Sequence, residues 1–438
     1  MTMPEIELMD AKGVRNFLPE EKIPRERIVE ALKRVFELYG FSPLETPAIE
    51  RLDLLSAKFA GGEEILKEVF KFRDQGNRDL GLRYDLTVPM CKVVGMNPNM
   101  PRPFRRYQIQ PVWRDGPIKL GRYREFLQCD VDIVGVKSMA ADAEILAIAD
   151  CVFREIGLDF VIKVNNRKLL NGIMEYAGFG NYKMKAILAV DKLSKIGADG
   201  VRQELLTMGF DKAESDKLLK AVETRGKDNA ETISKLKKLI KTPEGLEGIR
   251  ELEEMMQYCT LTGIKTIEVE PSLARGLEYY TGPVFEVYLK KSKITSSLAG
   301  GGRYDKMIGL FLGKQDEYPA TGISFGIEPI FEALKLSGKI AIGVKTVSSV
   351  LVIPIGKTFG EALKITRKIR DSGVPCEIDL MERGISKNLG YANSLGIPYV
   401  VFVGEKELAE KKVKLRDMKS GKEQNLSPEA AAKEISKK

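Results

Sequence analysis

The chain has 438 residues, 43% apolar and 30% charged, with 70 Lys+Arg against 62 Asp+Glu for a net charge of +8. Those figures predict a globular chain of two or three domains, with a mild basic excess that permits a polyanionic partner without demanding one. There is no histidine at all, which excludes an imidazole general base, a Ser-His-Asp triad and any His-ligated metal, and leaves Arg, Lys, carboxylates, Tyr or Gln to carry chemistry.

In chain order, Lys22–Tyr39 reads as a helix, because Ile28, Leu32, Val35, Phe36 and Tyr39 recur at three-and-four spacing and Gly40 stops it. A short strand over Pro43–Pro47 follows. From Phe70 to about Gly135 the pattern alternates, with Gly, Pro and Asn turns, and predicts an antiparallel sheet. Residues 167–256 are rich in Lys, Glu and Leu at helical period, which predicts a helical insertion between two flanking segments, 1–166 and 257–335, of a single domain. Strand texture returns at Thr266–Glu270 and Val284–Leu289, passes the glycines Gly300–Gly302, and ends in a small-residue strand and helix over Ala320–Leu334. Leu336–Thr346 reads as a linker. Beyond it, 346–438 alternates strand and helix, as a separate α/β domain with a largely parallel sheet does. Five widely spaced cysteines without a CxxC suggest neither disulfides nor a zinc site. The longest apolar runs fall far short of the roughly 20 residues a membrane helix needs, and the acidic start Met1–Asp10 has no apolar signal core, so no membrane association and a cytoplasmic location are expected.

Residues two apart on a strand share a face. In Gly121–Gly135 one face then carries Arg122, Arg124, Phe126, Gln128, Asp130 and Asp132: cations, a ring, an amide, then carboxylates. Leu82–Val88 has Arg83, Asp85 and Thr87 on one side, and Phe104–Arg114 has Arg106, Gln108, Gln110 and Arg114. Three such strands side by side make a polar floor. Its arginine end suits phosphates, Phe126 suits a stacked base, and its acidic end suits an ammonium or protonated ring. A fourth piece, Arg275–Gly282 (RGLEYYTG), puts an arginine and paired tyrosines on a tight backbone. For Gly300–Asp305 a plain turn and close backbone approach to a ligand are equally good readings.

Taken in order, these segments resemble the class II aminoacyl-tRNA synthetases, and specifically the histidyl-tRNA synthetase family, from about Gly13 to the carboxyl terminus. ARGLEYYTG is similar to that family's histidine-specific signature and AGGGRYD to its second one, and the LRYDLTVP and REFLQCDVDIVG wording looks closer to the archaeal and eukaryotic branch. The resemblance implies an α+β fold: an antiparallel sheet flanked by helices, a helical insertion and a C-terminal α/β anticodon-binding domain. It also implies ATP with Mg²⁺, histidine and tRNA(His) as partners, and a homodimer whose interface includes Lys22–Pro47. By position, Arg114 matches the arginine that holds the α-phosphate, and Arg275 the catalytic cation beside it. Phe126 matches the ring under adenine, and Arg122 or Arg124 the grip on the outer phosphate. Asp85, Thr87 and Gln128 fall where the family holds the α-amino group, and Asp132 and Tyr280 where it reads the imidazole, with Tyr279 also among the histidine-binding residues.

Two positions depart from the family pattern. Pro329 stands where its third motif carries an arginine, so another cation takes the outer phosphate or ATP binds more weakly. Asp115 lies one residue early for the usual Arg-x-Glu. The rival readings are a catalytically silent, synthetase-like regulatory subunit of histidine biosynthesis, and a sister class II enzyme for another amino acid.

Overall fold

The computed structural model describes residues 7–57, 66–118, 122–275, 279–290, 292, 294–340 and 343–437. Gly121, at the head of one expected strand, and Gly276, Leu277 and Glu278, inside the RGLEYYTG stretch, lie outside the described residues. Contacts gather the chain into two compact units, one formed by residues up to Arg15 with Arg27–Lys339, the other by Asn16–Glu26 with Ile340 onward.

The first unit's strands are, in chain order, β1 (Ser42–Pro43), β2 (Ile49–Arg51), β3 (Lys71–Arg73), β4 (Asp79–Leu82), β5 (Phe104–Trp113), β6 (Glu125–Val134), β7 (Phe160–Asn166), β8 (Ile267–Val269), β9 (Pro283–Leu289), β10 (Ala299–Arg303) and β11 (Ala320–Gly326). Eight of them form one sheet in the order β1-β5-β6-β11-β10-β9-β7-β8. Its outermost pairs, β1 with β5 and β7 with β8, are parallel, and the inner pairs are antiparallel.

Register explains the two faces. One row across the sheet reads Ile109, Cys129, Phe325, Ala299, Val287, Ile162, Ile267 and is apolar throughout. That face is core. Phe36 from helix Pro19–Leu38 and Phe153 from helix Ala140–Glu155 meet Phe325 at ring-centroid distances of 5.6 and 5.8 Å, and burial of such rings supplies much of the driving force for closing the layer. The next row, on the opposite face, reads Gln108, Asp130, Ser324, Gly300, Glu286, Lys163, Glu268. Two residues along each strand, Arg106, Asp132, Gly322 and Gly302 line up in the same way. The polar floor expected from β5 and β6 is therefore present, and it continues through β11 and β10.

Several expectations need correction. Leu82–Val88 is not a third strand of this floor: β4 ends at Leu82 and belongs to a separate three-stranded sheet with β2 and β3. A helix, Thr87–Met96, begins five residues later. The Asp85 carboxylate accepts the Val88 N–H at 3.0 Å, and Pro89 sits in the first turn, where a missing N–H costs nothing. Alternation over seven residues thus imitated a strand. Arg83 is buried away from the cavity described below, donating to the carbonyls of Thr46 and Pro111 and to Gln110. The strand at Gly121–Gly135 begins only at Glu125, so Arg122 and Arg124 precede it. The strand at Pro43–Pro47 is reduced to Ser42–Pro43. Gly300–Gly302 form neither a turn nor a loop but the strand β10.

Between β7 and β8 the chain is helical, from Arg167–Ala177 through Pro243–Leu261. The starts are set locally: the side chains of Asn166, Asp211, Asp228 and Thr242 each accept a first-turn backbone N–H. In the second unit β12 (Val350–Pro354), β13 (Cys376–Ile378), β14 (Tyr399–Val403), β15 (Val413–Asp417) and β16 (Glu423–Leu426) form a sheet ordered β13-β12-β14-β15-β16. Its first three strands are parallel and the last two an antiparallel hairpin. Val350, Val352 and Val401 face one core cluster, and Leu351, Ile353 and Val400 face another. Burial on both faces is why these strands read as unbroken apolar runs. Among the described residues no helix is long and apolar enough to cross a membrane.

Candidate active site

A cavity of about 130 Å³ opens on the polar face of the large sheet. Asp85, Thr87, Arg114, Gln128, Asp132, Arg275, Tyr279 and Tyr280 line it, together with Asp130, Gly300–Gly302, Tyr304, Gly322 and Ser324. It is smaller than the ~300–1,000 Å³ typical of sites for drug-sized ligands and suits a small molecule. Two of its walls come from outside the sheet: the turn into helix Thr87–Met96 brings Asp85 and Thr87, and the segment before β9 brings Arg275, Tyr279 and Tyr280.

Each wall is held by specific bonds. Arg114 donates through Nε to the Tyr84 carbonyl at 3.0 Å, and its guanidinium lies 5.2 Å from the centre of the Phe126 ring. Arg275 crosses the cavity margin with its guanidinium 5.5 Å from the Tyr280 ring centre and 3.4 Å from Glu286. It can lie there because Gly300 has no side chain: a Cβ on that residue would sit 1.8 Å from Arg275 Nη1. The same device recurs beneath the acidic end, where a Cβ on Gly322 would meet Asp132 Oδ1 at 1.9 Å. Glycine on β10 and β11 makes room for a long polar side chain from a neighbouring element.

The acidic end is electrostatically strained. Asp85, Asp130 and Asp132 are all buried, and Arg106, with 0% of its side chain exposed, is the cation among them, 2.8 Å from Asp132. Burial pushes the Asp85 carboxyl up to about 6 and the Asp130 carboxyl up to about 7, against the pull of Arg106 on both. Asp132 is pushed up as well, by burial, while Arg106 and the Tyr304 hydroxyl, which donates to it, pull it down. Gln128 Oε1, Asp130 Oδ1, Asp132 Oδ2 and Arg275 Nη1 are buried with no hydrogen-bond partner. Uncompensated polar atoms of this kind cost free energy in the empty protein and are repaid when a ligand bonds them.

Of the residues expected to form the site, Asp85, Thr87, Arg114, Gln128, Asp132, Arg275, Tyr279 and Tyr280 are brought together. Phe126 is adjacent to Arg114 but outside the cavity lining. Arg122 is exposed, and Arg124 pairs with Asp115 at 3.0 Å, so neither lines the cavity. That ion pair also engages the acid that stood out of register with the usual Arg-x-Glu. Pro329 lies in the first turn of helix Ile327–Leu336, its ring packed where a Cβ on Gly326 would be. The sequence reading overlooked Tyr304, Ser324 and Gly322. For Gly322 and Ser324 the signal was available only as small residues on one strand facing long polar ones on the next, and it needs the register to be read; Tyr304, just past the end of β10, is recognised only by its bond to Asp132. Among the described residues no group of three acids or cysteines is arranged to hold a metal ion.

Comparison with known proteins agrees with this geometry. The pattern described as histidyl-tRNA synthetase matches residues 13–330, and the one described as anticodon binding domain matches 349–438. A histidine–tRNA ligase 1 of Bacillus cereus is 44% identical over 421 residues, covering 95% of this chain and 97% of its own. A histidine–tRNA ligase 2 of Shouchella clausii is 41% identical, covering 97% and 99%. The crystal structure of histidyl-tRNA synthetase from Nostoc sp. PCC 7120 superposes with a TM-score of 0.88 at 30% identity, covering 99% of this chain and all of that one. These bacterial relatives do not confirm the leaning toward the archaeal and eukaryotic branch. The class II architecture, with its antiparallel-rich sheet and C-terminal α/β anticodon-binding domain, is established by the same matches, and the chain belongs to the histidyl-tRNA synthetase family.

Proposed function

We propose that the chain is a histidine–tRNA ligase that activates histidine with ATP and transfers it to the 3′ end of tRNA(His). One observation carries this reading: Arg114 and Arg275 border the same small cavity as the buried carboxylates Asp85, Asp130 and Asp132. A cationic amino acid fits the acidic end, and its carboxylate and the α-phosphate fit the arginines. In the first step a substrate carboxylate oxygen attacks the α-phosphorus and the bond to pyrophosphate breaks, the leaving group departing with the electron pair. Arg114 and Arg275 neutralise the charge that grows on the phosphoryl oxygens, which requires positioning and electrostatics and no histidine base. In the second, the terminal ribose hydroxyl attacks the acyl carbon, the acyl–phosphate bond breaks and AMP leaves with the electron pair, the adenylate's own phosphate oxygen taking the hydroxyl proton.

Asp85, Thr87 and Gln128 are proposed to hold the α-amino group, and Tyr279 and Tyr280 to close over the ring. Phe126 is proposed to stack on adenine beyond the cavity. Arg122 and Arg124 remain candidates for the outer phosphates only if their segment moves toward the nucleotide. Mg²⁺ is proposed to enter with ATP as a counter-ion of those phosphates, which lowers the cost of bringing them against the protein. Residues 1–166 and 257–335 would form the catalytic domain, 167–256 an insertion and 346–438 the module that reads the anticodon. A homodimer in the cytoplasm completes the proposal. The regulatory-subunit reading is less favoured because both arginines and the anticodon-type unit are present.

Histidine-dependent ATP–pyrophosphate exchange, followed by charging of tRNA(His), tests the assignment. Exchange with histidine alone among the twenty amino acids is expected. Absence of exchange would favour the regulator, and exchange driven by a different amino acid would favour a sister enzyme.

A further inference from the structure

The strand and turn that deliver Arg275 to the cavity margin are gripped from outside the large sheet. β8 is the last strand in that sheet's order, and residues of the helical stretch between β7 and β8 reach its outer edge. The Asn229 side-chain amide donates to the Ile267 carbonyl at 2.9 Å and accepts from the Val269 N–H at 2.8 Å, which satisfies the edge as a neighbouring strand would. Glu270 follows, and its buried carboxylate is a junction. One oxygen accepts from Lys163 at 3.1 Å; the other accepts from Arg225 and from the Ser272 hydroxyl at 2.5 Å. Glu270–Leu273 is a turn closed by the Leu273 N–H on the Glu270 carbonyl at 2.9 Å, with Pro271 at its second position. From the inner side Asn165 of β7, fully buried, donates to the carbonyls of both Pro271 and Leu273, at 3.0 and 2.9 Å. Each residue from Glu270 to Leu273 is thus held, and only the buried Ala274 separates them from Arg275. Arg225 is a firm anchor. It lies between helices Lys212–Val222 and Asn229–Leu239, and its Nη1 donates to the carbonyls of Val222 and Thr224 at 3.0 and 2.8 Å. The turn after it packs closely, a Cβ on Gly226 meeting the Thr232 nitrogen at 2.6 Å.

We infer that Arg225, in the helical stretch between β7 and β8, is a positioning residue for adenylate formation, acting through Glu270 and the Glu270–Leu273 turn to set where the Arg275 guanidinium lies. The inference rests on the histidine-activating reading above and deepens it. Arg225 does not itself line the cavity, so its influence passes through the turn. The Arg275 guanidinium has little latitude, because it occupies the space that a Cβ on Gly300 would fill and stands 3.4 Å from Glu286. A preorganised charge stabilises a transition state only where it is aimed, and a displacement of about 1 Å costs up to ~10²-fold in rate. Without Arg225 the Glu270 carboxylate keeps its ion pair with Lys163 alone. A buried carboxylate with less compensation turns toward whatever donor or water it can reach, and the bond that holds Ser272 goes with it.

The test uses the full chain, assayed by histidine-dependent pyrophosphate exchange, as Arg225→Met, Ser272→Ala, Arg275→Ala and the double variant Arg225→Met/Arg275→Ala. Arg225→Met is expected to lower kcat roughly tenfold with the KM for histidine and for ATP each within about threefold of wild type, the pattern left by a contact that counts only in the transition state. Ser272→Ala removes a single hydroxyl and is expected to show the same split with a smaller fall in kcat, about threefold; it decides the matter should Arg225→Met not fold. In the Arg275→Ala background, Arg225→Met is expected to change kcat by less than about twofold, because a residue that works through Arg275 then has nothing left to aim. Wild-type kcat in both single variants would overturn the inference, and so would a raised histidine KM with kcat intact. A further loss of about tenfold on adding Arg225→Met to Arg275→Ala would also overturn it, marking an ordinary structural contact. Failure of the wild type to exchange with histidine at all would instead count against the parent reading.

Discussion

Two buried arginines of the same sheet have opposite surroundings. Arg303, at the end of β10, is saturated: Asp142 accepts from Nε at 3.1 Å and also from Nη2, and the carbonyls of Val136 and Ser138 and the Asp305 carboxylate take the remaining donors. Arg106, on β5, leaves Nε without a partner and stands among three carboxylates, two of them pushed up to about 6 and about 7 by burial. A satisfied ion network holds elements together and has nothing left to offer a ligand. An unsatisfied one, opening on a cavity, keeps bonding capacity in reserve. The difference separates architecture from function in this chain more cleanly than burial or charge does, because both arginines are buried and both are paired.

The comparison can be broken most decisively at the saturated end. Arg303→Met strands the fully buried Asp142, and a loss of about 3–5 kcal/mol is expected from urea unfolding, most of it restored when Asp142→Leu is added. If the single variant loses less than about 1 kcal/mol, the saturated network is not structural.

At the functional end, Arg275→Ala is expected to lower histidine-dependent exchange by roughly 10²–10³-fold with histidine binding little changed, the size of effect that follows loss of a principal electrostatic stabiliser. Gly300→Ala should reproduce part of it, because the new Cβ evicts the guanidinium from its resting place. An exchange rate within about tenfold of wild type for Arg275→Ala would make the residue a structural one.

The smallest expected effect concerns pH. Asp130 binds its proton more tightly in the folded chain, at about 7, than in the unfolded chain, near ~3.9. The ligand-free protein therefore loses stability as pH rises from about 4 to about 7, and the loss is complete above the folded value. Asp130→Asn removes that dependence, so its Tm is expected to exceed the wild-type value above about pH 7 and to converge with it near about pH 4. Parallel pH profiles for the two proteins would mean that Asp130 does not carry the excess charge. Saturating histidine should raise the wild-type Tm.

Much of the site could be read directly from residue order. Strand periodicity put Gln128, Asp130 and Asp132 on one face and Arg106 and Arg114 on another strand's equivalent face, and β5 and β6 pair so that these faces coincide. Arg275 and the tyrosines were singled out by composition. Periodicity failed where it was short: Arg83, Asp85 and Thr87 alternate for chemical reasons that have nothing to do with a strand, and only the bond from Val88 to Asp85 reveals a helix start. It failed again at Arg122 and Arg124, whose spacing continues that of β6 although the strand has not yet begun.

What the sequence by itself determined is the inventory and its local order: which elements form, which faces are polar, where helices are capped, and which family the chain falls in. Those are consequences of side-chain spacing and capping chemistry, which act over a few residues. Only the tertiary structure decided which polar atoms are already spent. Asp130 and Asp132 are the same residue type, on the same strand and the same face, and each keeps one buried oxygen without a hydrogen-bond partner, yet Asp132 takes the Tyr304 hydroxyl and the close Arg106 ion pair while Asp130 stands opposite Ser324. Hydrogen-bond satisfaction depends on atoms within about 3 Å, supplied by residues as far along the chain as Tyr304 is from Asp132, and no pattern along the chain encodes it.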